Sequence, residues 1–306
     1  MGLFGKKKEV GTARRLEGRF IQEERKHLLT AKSDFFIREA YKTLRTNVSF
    51  AMNGVEDCKV IVVTSAQQGE GKSITTVNLA ISHAMTERKV LVIDCDLRRP
   101  KLARLLQMRS EVGLSNVIMQ PELLDQAILK TELSGLDVIL SGSIPPNPSE
   151  LLSSPRMQQL IDTLRESYDY IFLDSPPVNI VTDAVVLSPK CDGVLFLIRA
   201  NRSERGAVAH AVEQLEYAKA RILGFVLNGV DMENLHYGYK RYRYGRQSKY
   251  GYGRYGYGRY GYGRYGYGKY GYGRYGYGNG YHYGYSSTMP PPYISNSVDR
   301  PEGEGK

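Results

Sequence analysis

The chain has 306 residues with a formal net charge of +10, enough for one good-sized domain and extensions. The charge is unevenly placed: residues 237–306 carry twelve Lys/Arg against three Asp/Glu, which leaves 30 against 29 for residues 1–236. The body is therefore nearly neutral, so the basic average gives no ground for a nucleic-acid partner, and three scattered cysteines, Cys58, Cys95 and Cys191, lack the spacing of a metal site or disulfide framework.

Residues 1–32 are charged and weakly patterned and read as a mobile N-terminal arm. Met1-Gly2 lacks the Ser or Thr at position six that myristoylation needs, and no apolar run reaches the ~18 residues of a membrane helix. A soluble protein is expected, with any membrane contact made through a partner. Ser33 is placed to cap a helix running to about Asn53, with Gly54 as its stop. Phe36, Ala40, Leu44 and Val48 form its apolar stripe, and Glu39, Lys42 and Arg45 lie three apart on the other side. They make a solvated face or a subunit contact.

Val60-Ile61-Val62-Val63 reads as a buried strand, and Ser65-Ala66-Gln67-Gln68-Gly69-Glu70-Gly71-Lys72-Ser73 follows it as a phosphate-binding loop with Ala66 where Gly is usual. Gly69 and Gly71 allow backbone N–H groups to turn around phosphate oxygens, and the helix after Lys72 points its positive end at the same anion. Gln68 through Ile74 thus form the candidate nucleotide cradle, with Lys72 for the β/γ-phosphates and Ser73 for Mg²⁺.

The run Lys89-Val90-Leu91-Val92-Ile93 reads as a second buried strand, with Asp94 and Asp96 just past its carboxyl end and Arg98 beyond them. Ligands of open α/β sheets bind at that end. Residues 101–135 are helical or irregular. Leu136–Leu140 is a strand, Ser154-Pro155 opens a helix with apolar positions Met157, Leu160, Ile161 and Leu164, and the stretch from Tyr168 is an apolar strand ending in Asp174, the expected Walker B carboxylate. Val194–Ile198 and Ile222–Leu227 are further strands, with a helix opened by Ser203 between them. Alternating strands and helices predict an α/β fold of the P-loop NTPase type, a parallel sheet with helices on both faces, over residues 33–236.

At Tyr237 the composition changes. Residues 249–278 are six tandem copies of [Lys/Arg]-Tyr-Gly-Tyr-Gly, and twenty of the 24 tyrosines lie from Tyr237 onward. With so few aliphatic residues this segment, 237–306, reads as a disordered tyrosine-rich tail.

Together these motifs resemble the bacterial tyrosine kinases of capsule and exopolysaccharide synthesis, over roughly residues 34–230 and in the character of the tail. Ser65–Ser73 looks like their Walker A, Val92–Arg98 like Walker A′, Phe172–Pro177 like Walker B, and Pro145-Pro146-Asn147-Pro148-Ser149-Glu150-Leu151-Leu152 like their proline-containing loop. Gln67 stands where the related septum-placement and partition ATPases carry a signature lysine. Lys42 stands where the family's Glu-x-x-Arg-x-x-Arg subunit-contact helix has Arg, keeping the charge without the planar fork.

The resemblance implies an ATP-dependent protein-tyrosine autokinase. Lys72, Asp94, Asp96 and Asp174 would be catalytic, Ser73, Asp94 and Asp174 would hold Mg²⁺, Gln68–Ile74 and Arg98 would bind ATP, and either Asp94 or Asp96 would take the tyrosine proton. It implies phosphoacceptors among Tyr250, Tyr252, Tyr255, Tyr257, Tyr260, Tyr262, Tyr265, Tyr267, Tyr270, Tyr272, Tyr275, Tyr277, Tyr281, Tyr283 and Tyr285, and a homo-oligomeric ring through Glu39, Lys42 and Arg45. It implies a transmembrane chain-length-regulator adaptor as activator, hence a cytoplasmic protein peripheral to the membrane. Substrates in sugar-precursor and polysaccharide synthesis and an opposing tyrosine phosphatase complete the expected partners. The alternative is a P-loop switch ATPase whose tail localises it or binds RNA.

Overall fold

The computed structural model describes residues 25–55 and 58–230. The tail from Tyr237, its fifteen candidate phosphoacceptors and residues 1–24 of the arm lie outside the described residues.

Seven strands form one sheet in the order β3-β4-β2-β5-β1-β6-β7: β1 (Lys59–Ser65), β2 (Val90–Asp94), β3 (Ile128–Lys130), β4 (Leu136–Ile139), β5 (Tyr170–Asp174), β6 (Gly193–Arg199) and β7 (Ile222–Asn228). All neighbouring pairs are parallel except β3 with β4, which are antiparallel. The expected parallel sheet thus gains one antiparallel edge strand, inside the stretch read as helical or irregular. Three residues are too short to carry a periodic signal.

Helices cover both faces, which is why β1, β2 and β5 read as continuous apolar runs. Alternate residues serve opposite cores. Val60 and Val62 of β1 pack with α4 (Leu114–Met119), α7 (Pro155–Arg165), α8 (Asp183–Leu187) and α9 (Arg205–Tyr217). Ile61 and Val63 pack with α1 (Phe35–Ala51), α2 (Lys72–Ala84) and α3 (Leu102–Leu106). The short α5 (Leu124–Ala127) and α6 (Pro148–Ser153) complete the set. Helix α7 forms as its sequence dictates. Ser154 Oγ accepts from Met157 N at 3.3 Å, Pro155 occupies the first turn, and Met157, Leu160, Ile161 and Leu164 are all buried. At its end Arg165 grips both carboxylate oxygens of Asp192 at 2.9 and 3.0 Å, while Asp192 Oδ2 accepts from Val60 N at 2.7 Å. That brace joins α7 to the starts of β1 and β6.

Three local expectations change. The α1 cap is Asp34, whose carboxylate accepts from Phe36 N at 2.8 Å, and Ser33 instead binds within the preceding turn. The buried side of α1 is rotated from the expected stripe: Phe36 and Ala40 are exposed, while Tyr41, Leu44, Arg45 and Val48 face the core. Arg45 therefore does not share the outer face of Glu39 and Lys42; its Nη1 donates to the Ser82 carbonyl of α2 at 2.5 Å. The last part of the supposed arm, residues 25–32, is fastened to α2, because the Asn78 amide accepts from Leu29 N at 2.7 Å and donates to His27 O at 2.8 Å.

Candidate active site

The loop between β1 and α2 lies where three adjacent strands, β2, β5 and β1, end together. Parallel register sets Asp94 opposite Asp174 and Val63 opposite Asp174. Strands spaced about 5 Å apart thus bring both carboxylates beside the loop, although they are far apart in sequence.

The loop takes its shape from two left-handed glycines, Gly69 at φ +77° and Gly71 at φ +93°. A Cβ at Gly71 would collide with the Asn228 side-chain amide. Glu70 is buried, and its carboxylate turns inward to accept from Gln67 N at 2.8 Å and from the Ser203 hydroxyl. Asn228 Nδ2 donates to Glu70 O at 2.9 Å, and the Arg202 guanidinium lies over Gly69. Sequence reasoning missed Ser203, Arg202 and Asn228 as loop supports. Ser203 was expected to start a helix, but that helix begins after Glu204.

Lys72 is only 9% exposed, not solvent-facing, and its Nζ donates to Ser65 Oγ at 3.2 Å. Burial lowers its pKa, an effect opposed by the Asp174 charge. Asp94 is fully buried, with Oδ1 accepting from Asp96 N at 3.2 Å and Oδ2 from Leu102 N at 3.1 Å. Burial, and then the neighbouring Asp174, push its pKa well above the usual carboxylate range. Asp174 is pushed up to about 6, chiefly by burial, with Ser73 and Lys72 drawing it back. Its Oδ1 is buried without a partner. Two acids held together in apolar surroundings and sharing a wall with a lysine form an arrangement completed by a cation. Among the described residues no group of three His, Cys, Asp or Glu could hold a metal by itself. The carboxylate pair with its unpartnered Asp174 oxygen fits Mg²⁺, which is usually bound through one or two carboxylates together with substrate phosphates.

Asp96 is half-buried beyond the pair, and its Oδ1 accepts from Arg99 N at 2.9 Å. Arg98 is engaged with Asp183 and Ser149. Its Nε and Nη2 make a bidentate pair with Asp183 at 3.0 and 3.2 Å, and Nη2 also meets Ser149 Oγ at 3.0 Å. Asp183 is fully buried. It was missed as a site residue, though an acid in the first turn of a helix is a modest signal. This pairing ties the Walker A′ turn to the proline-containing loop. Glu39 and Lys42 pair with each other at 2.7 Å on the exposed side of α1.

A glycine loop feeding a helix, with two strand-end acids beside it, defines a P-loop nucleotide-binding domain, and the protein-family model described as AAA domain matches residues 58–221. The chain is 39% identical over 202 residues to tyrosine-protein kinase YwqD of Bacillus subtilis (strain 168), covering 66% of this chain and 85% of that one. It is 36% identical to the putative tyrosine-protein kinase EpsB of Ralstonia nicotianae, over 70% of this chain and 28% of that longer protein. The solved kinase domain of Escherichia coli tyrosine kinase ETK superposes with a TM-score of 0.61 at 34% identity, covering 66% of this chain and 82% of that one. The chain belongs to the bacterial tyrosine-protein kinases and is a protein-tyrosine kinase.

Proposed function

We propose that the kinase uses Mg²⁺-ATP to phosphorylate its own tyrosine-rich tail, in trans between subunits, and so regulates capsule or exopolysaccharide synthesis and export. The observation that carries the chemistry is the Asp94–Asp174 pair beside Lys72, with an unpartnered Asp174 oxygen. Lys72 and the loop N–H groups hold the β/γ-phosphate oxygens. Ser73, Asp94 and Asp174 would hold Mg²⁺, which would neutralise charge on the phosphates.

The incoming tyrosine oxygen bonds to the γ-phosphorus as the bond to the ADP oxygen breaks, and the phenolic proton passes to a carboxylate. Asp96 suits that role better than Asp94. Both Asp94 oxygens already accept backbone N–H groups in the interior, whereas Asp96 is half-buried and engaged through one oxygen. The rest of the catalysis is positioning and electrostatic stabilisation.

A ring contact through α1 is supported by Phe35, Phe36 and Ile37, which are exposed beside Glu39 and Lys42; Arg45 contributes from within by anchoring α1 to α2. Among the described residues no helix is long and apolar enough to cross a membrane. Activation by a transmembrane chain-length-regulator adaptor belongs to this reading. Substrates in sugar-precursor and polysaccharide synthesis and an opposing tyrosine phosphatase belong to the same reading.

The test is Lys72→Met with radiolabelled ATP. Phosphotyrosine disappears while the fold is retained; undiminished autophosphorylation at saturating ATP would refute the assignment.

A further inference from the structure

A cleft of about 500 Å³ opens at the amino ends of β1 and β5, the sheet edge opposite the phosphate loop. Its volume lies in the range of small-molecule sites. Arg45, Lys59 and Arg88 line it against a single carboxylate, Asp169, so its walls carry a net charge of +2. Arg88 is 58% exposed and meets Asp169 Oδ1 at 3.3 Å, while Asp169 Oδ2 is taken by Lys89 N at 2.8 Å. Lys59 Nζ stands 5.6 Å from the centre of the Tyr170 ring.

His83, at the carboxyl end of α2, forms another wall. It is 1% exposed, its ring centre is 4.0 Å from that of Tyr170, and its Nε2 has no hydrogen-bond partner. Burial, with Arg45 and Arg88 adding to it, drives its pKa down to about 3, so the ring is neutral and can give an N–H without adding charge. The carbonyl end of a helix disfavours an anion, but the Ser82 carbonyl is covered by Arg45 at 2.5 Å and that of His83 by the Thr86 hydroxyl at 2.7 Å.

We propose that this cleft is a second anion site that takes a phosphate monoester, presented as a phosphotyrosine of the chain's own tail. The proposal rests on the reading that the tail is phosphorylated. Guanidinium groups recognise phosphate through short charge-assisted bonds. The unmodified tail carries a net +9 and is repelled by a cationic cleft, while each phosphate adds about −1.5 to −2. The cleft therefore distinguishes the modified tyrosine from the unmodified one by local charge, since the neutral phenol becomes a dianionic ester while the tail around it stays basic. Helix α2 has 13 residues, so the cleft lies about 20 Å from the loop at its other end, and a docked phosphotyrosine leaves the nucleotide site free.

The test uses a fluorescent synthetic peptide of residues 259–268 with phosphate on Tyr260, titrated into the full Lys72→Met chain. Because the phosphate is installed synthetically, binding is read whether or not the kinase modifies its tail; phosphate incorporation by the wild-type chain is scored separately. The phosphopeptide binds at least about tenfold more tightly than the unmodified peptide. Arg88→Glu removes that advantage, Asp169→Asn strengthens binding severalfold, and saturating Mg²⁺-ADP added to the chain with Lys72 intact does not displace the peptide. The opposite signs of the two substitutions separate recognition from misfolding. Equal binding of both peptides, displacement by nucleotide, or indifference to Arg88→Glu would overturn the proposal. So would competition by glucose 1-phosphate or inorganic phosphate at lower concentrations than free phosphotyrosine, which would assign the cleft to a soluble phosphate.

Discussion

Replacing Asp174 by Asn makes the nucleotide-free protein more stable while abolishing its activity. Folded Asp174 keeps its proton up to about pH 6, whereas an unfolded aspartate loses it near pH 4. Between those values the folded state binds more protons, so this group's contribution to stability falls as pH rises through the window and stays low above it. A shift of roughly two units corresponds to about 3 kcal/mol at neutral pH. The group is buried, so little of that is lost to solvent screening. Asn keeps an acceptor for Ser73 and cannot ionise.

The melting temperature of Asp174→Asn should therefore match the wild type near pH 4 and exceed it by roughly 6–12 °C at pH 7.5, by the scaling for a domain of this size. Adding Mg²⁺-ATP should narrow or reverse the gap, because only the wild type gains the ligand's stabilisation, about 2.7 kcal/mol at a hundredfold excess over Kd. Differential scanning fluorimetry across pH, with and without nucleotide, reads all of this. A pH-independent difference, or a destabilised variant at pH 7.5, would refute the argument that the carboxylate is held against its own ionisation.

Gly71→Ala combines a strained left-handed φ with a collision against Asn228, so it should cost more than about 1 kcal/mol and abolish nucleotide binding by calorimetry. Arg98→Ala removes the cationic partner of the buried Asp183 carboxylate and leaves it the Ser149 hydroxyl, so chemical denaturation should show a loss of roughly 1–3 kcal/mol; the double variant with Asp183→Asn should recover part of it. A chain ending at Asn234 should bind Mg²⁺-ATP and fold, accept little phosphate, and phosphorylate the full-length Lys72→Met chain in trans, read by anti-phosphotyrosine blotting.

The three strands that carry the site were legible because each is buried on both faces and ends in a residue whose chemistry differs sharply from the run before it. Lys59–Ser65, Val90–Asp94 and Tyr170–Asp174 announce both the element and its end. Helix α1 was legible as a helix but not in its rotation. Phe35, Phe36, Ile37 and Phe50 place apolar side chains on the outer side as well as the inner, so periodicity could not say which side α2 covers. Arg45 was misplaced for the same reason: a charged residue reads as outward, yet its guanidinium has a helix-end carbonyl to satisfy. The short β3 had no periodic signal at all.

The shape of the phosphate loop was the least legible feature, although its motif was the clearest. The pattern names Gly69, Gly71 and Lys72, but the loop is held by Ser203 and Asn228, more than 130 residues away. They arrive only because β6 pairs with β1 and β7 with β6, so the ends of those strands come down beside the loop. Glu70 is the joint: its side chain is drawn to Gln67 N and Ser203, and its carbonyl to Asn228. A motif states which backbone can bend around a phosphate. What keeps it bent is supplied by the topology, and neither Ser203 nor Asn228 carries any local mark of that role.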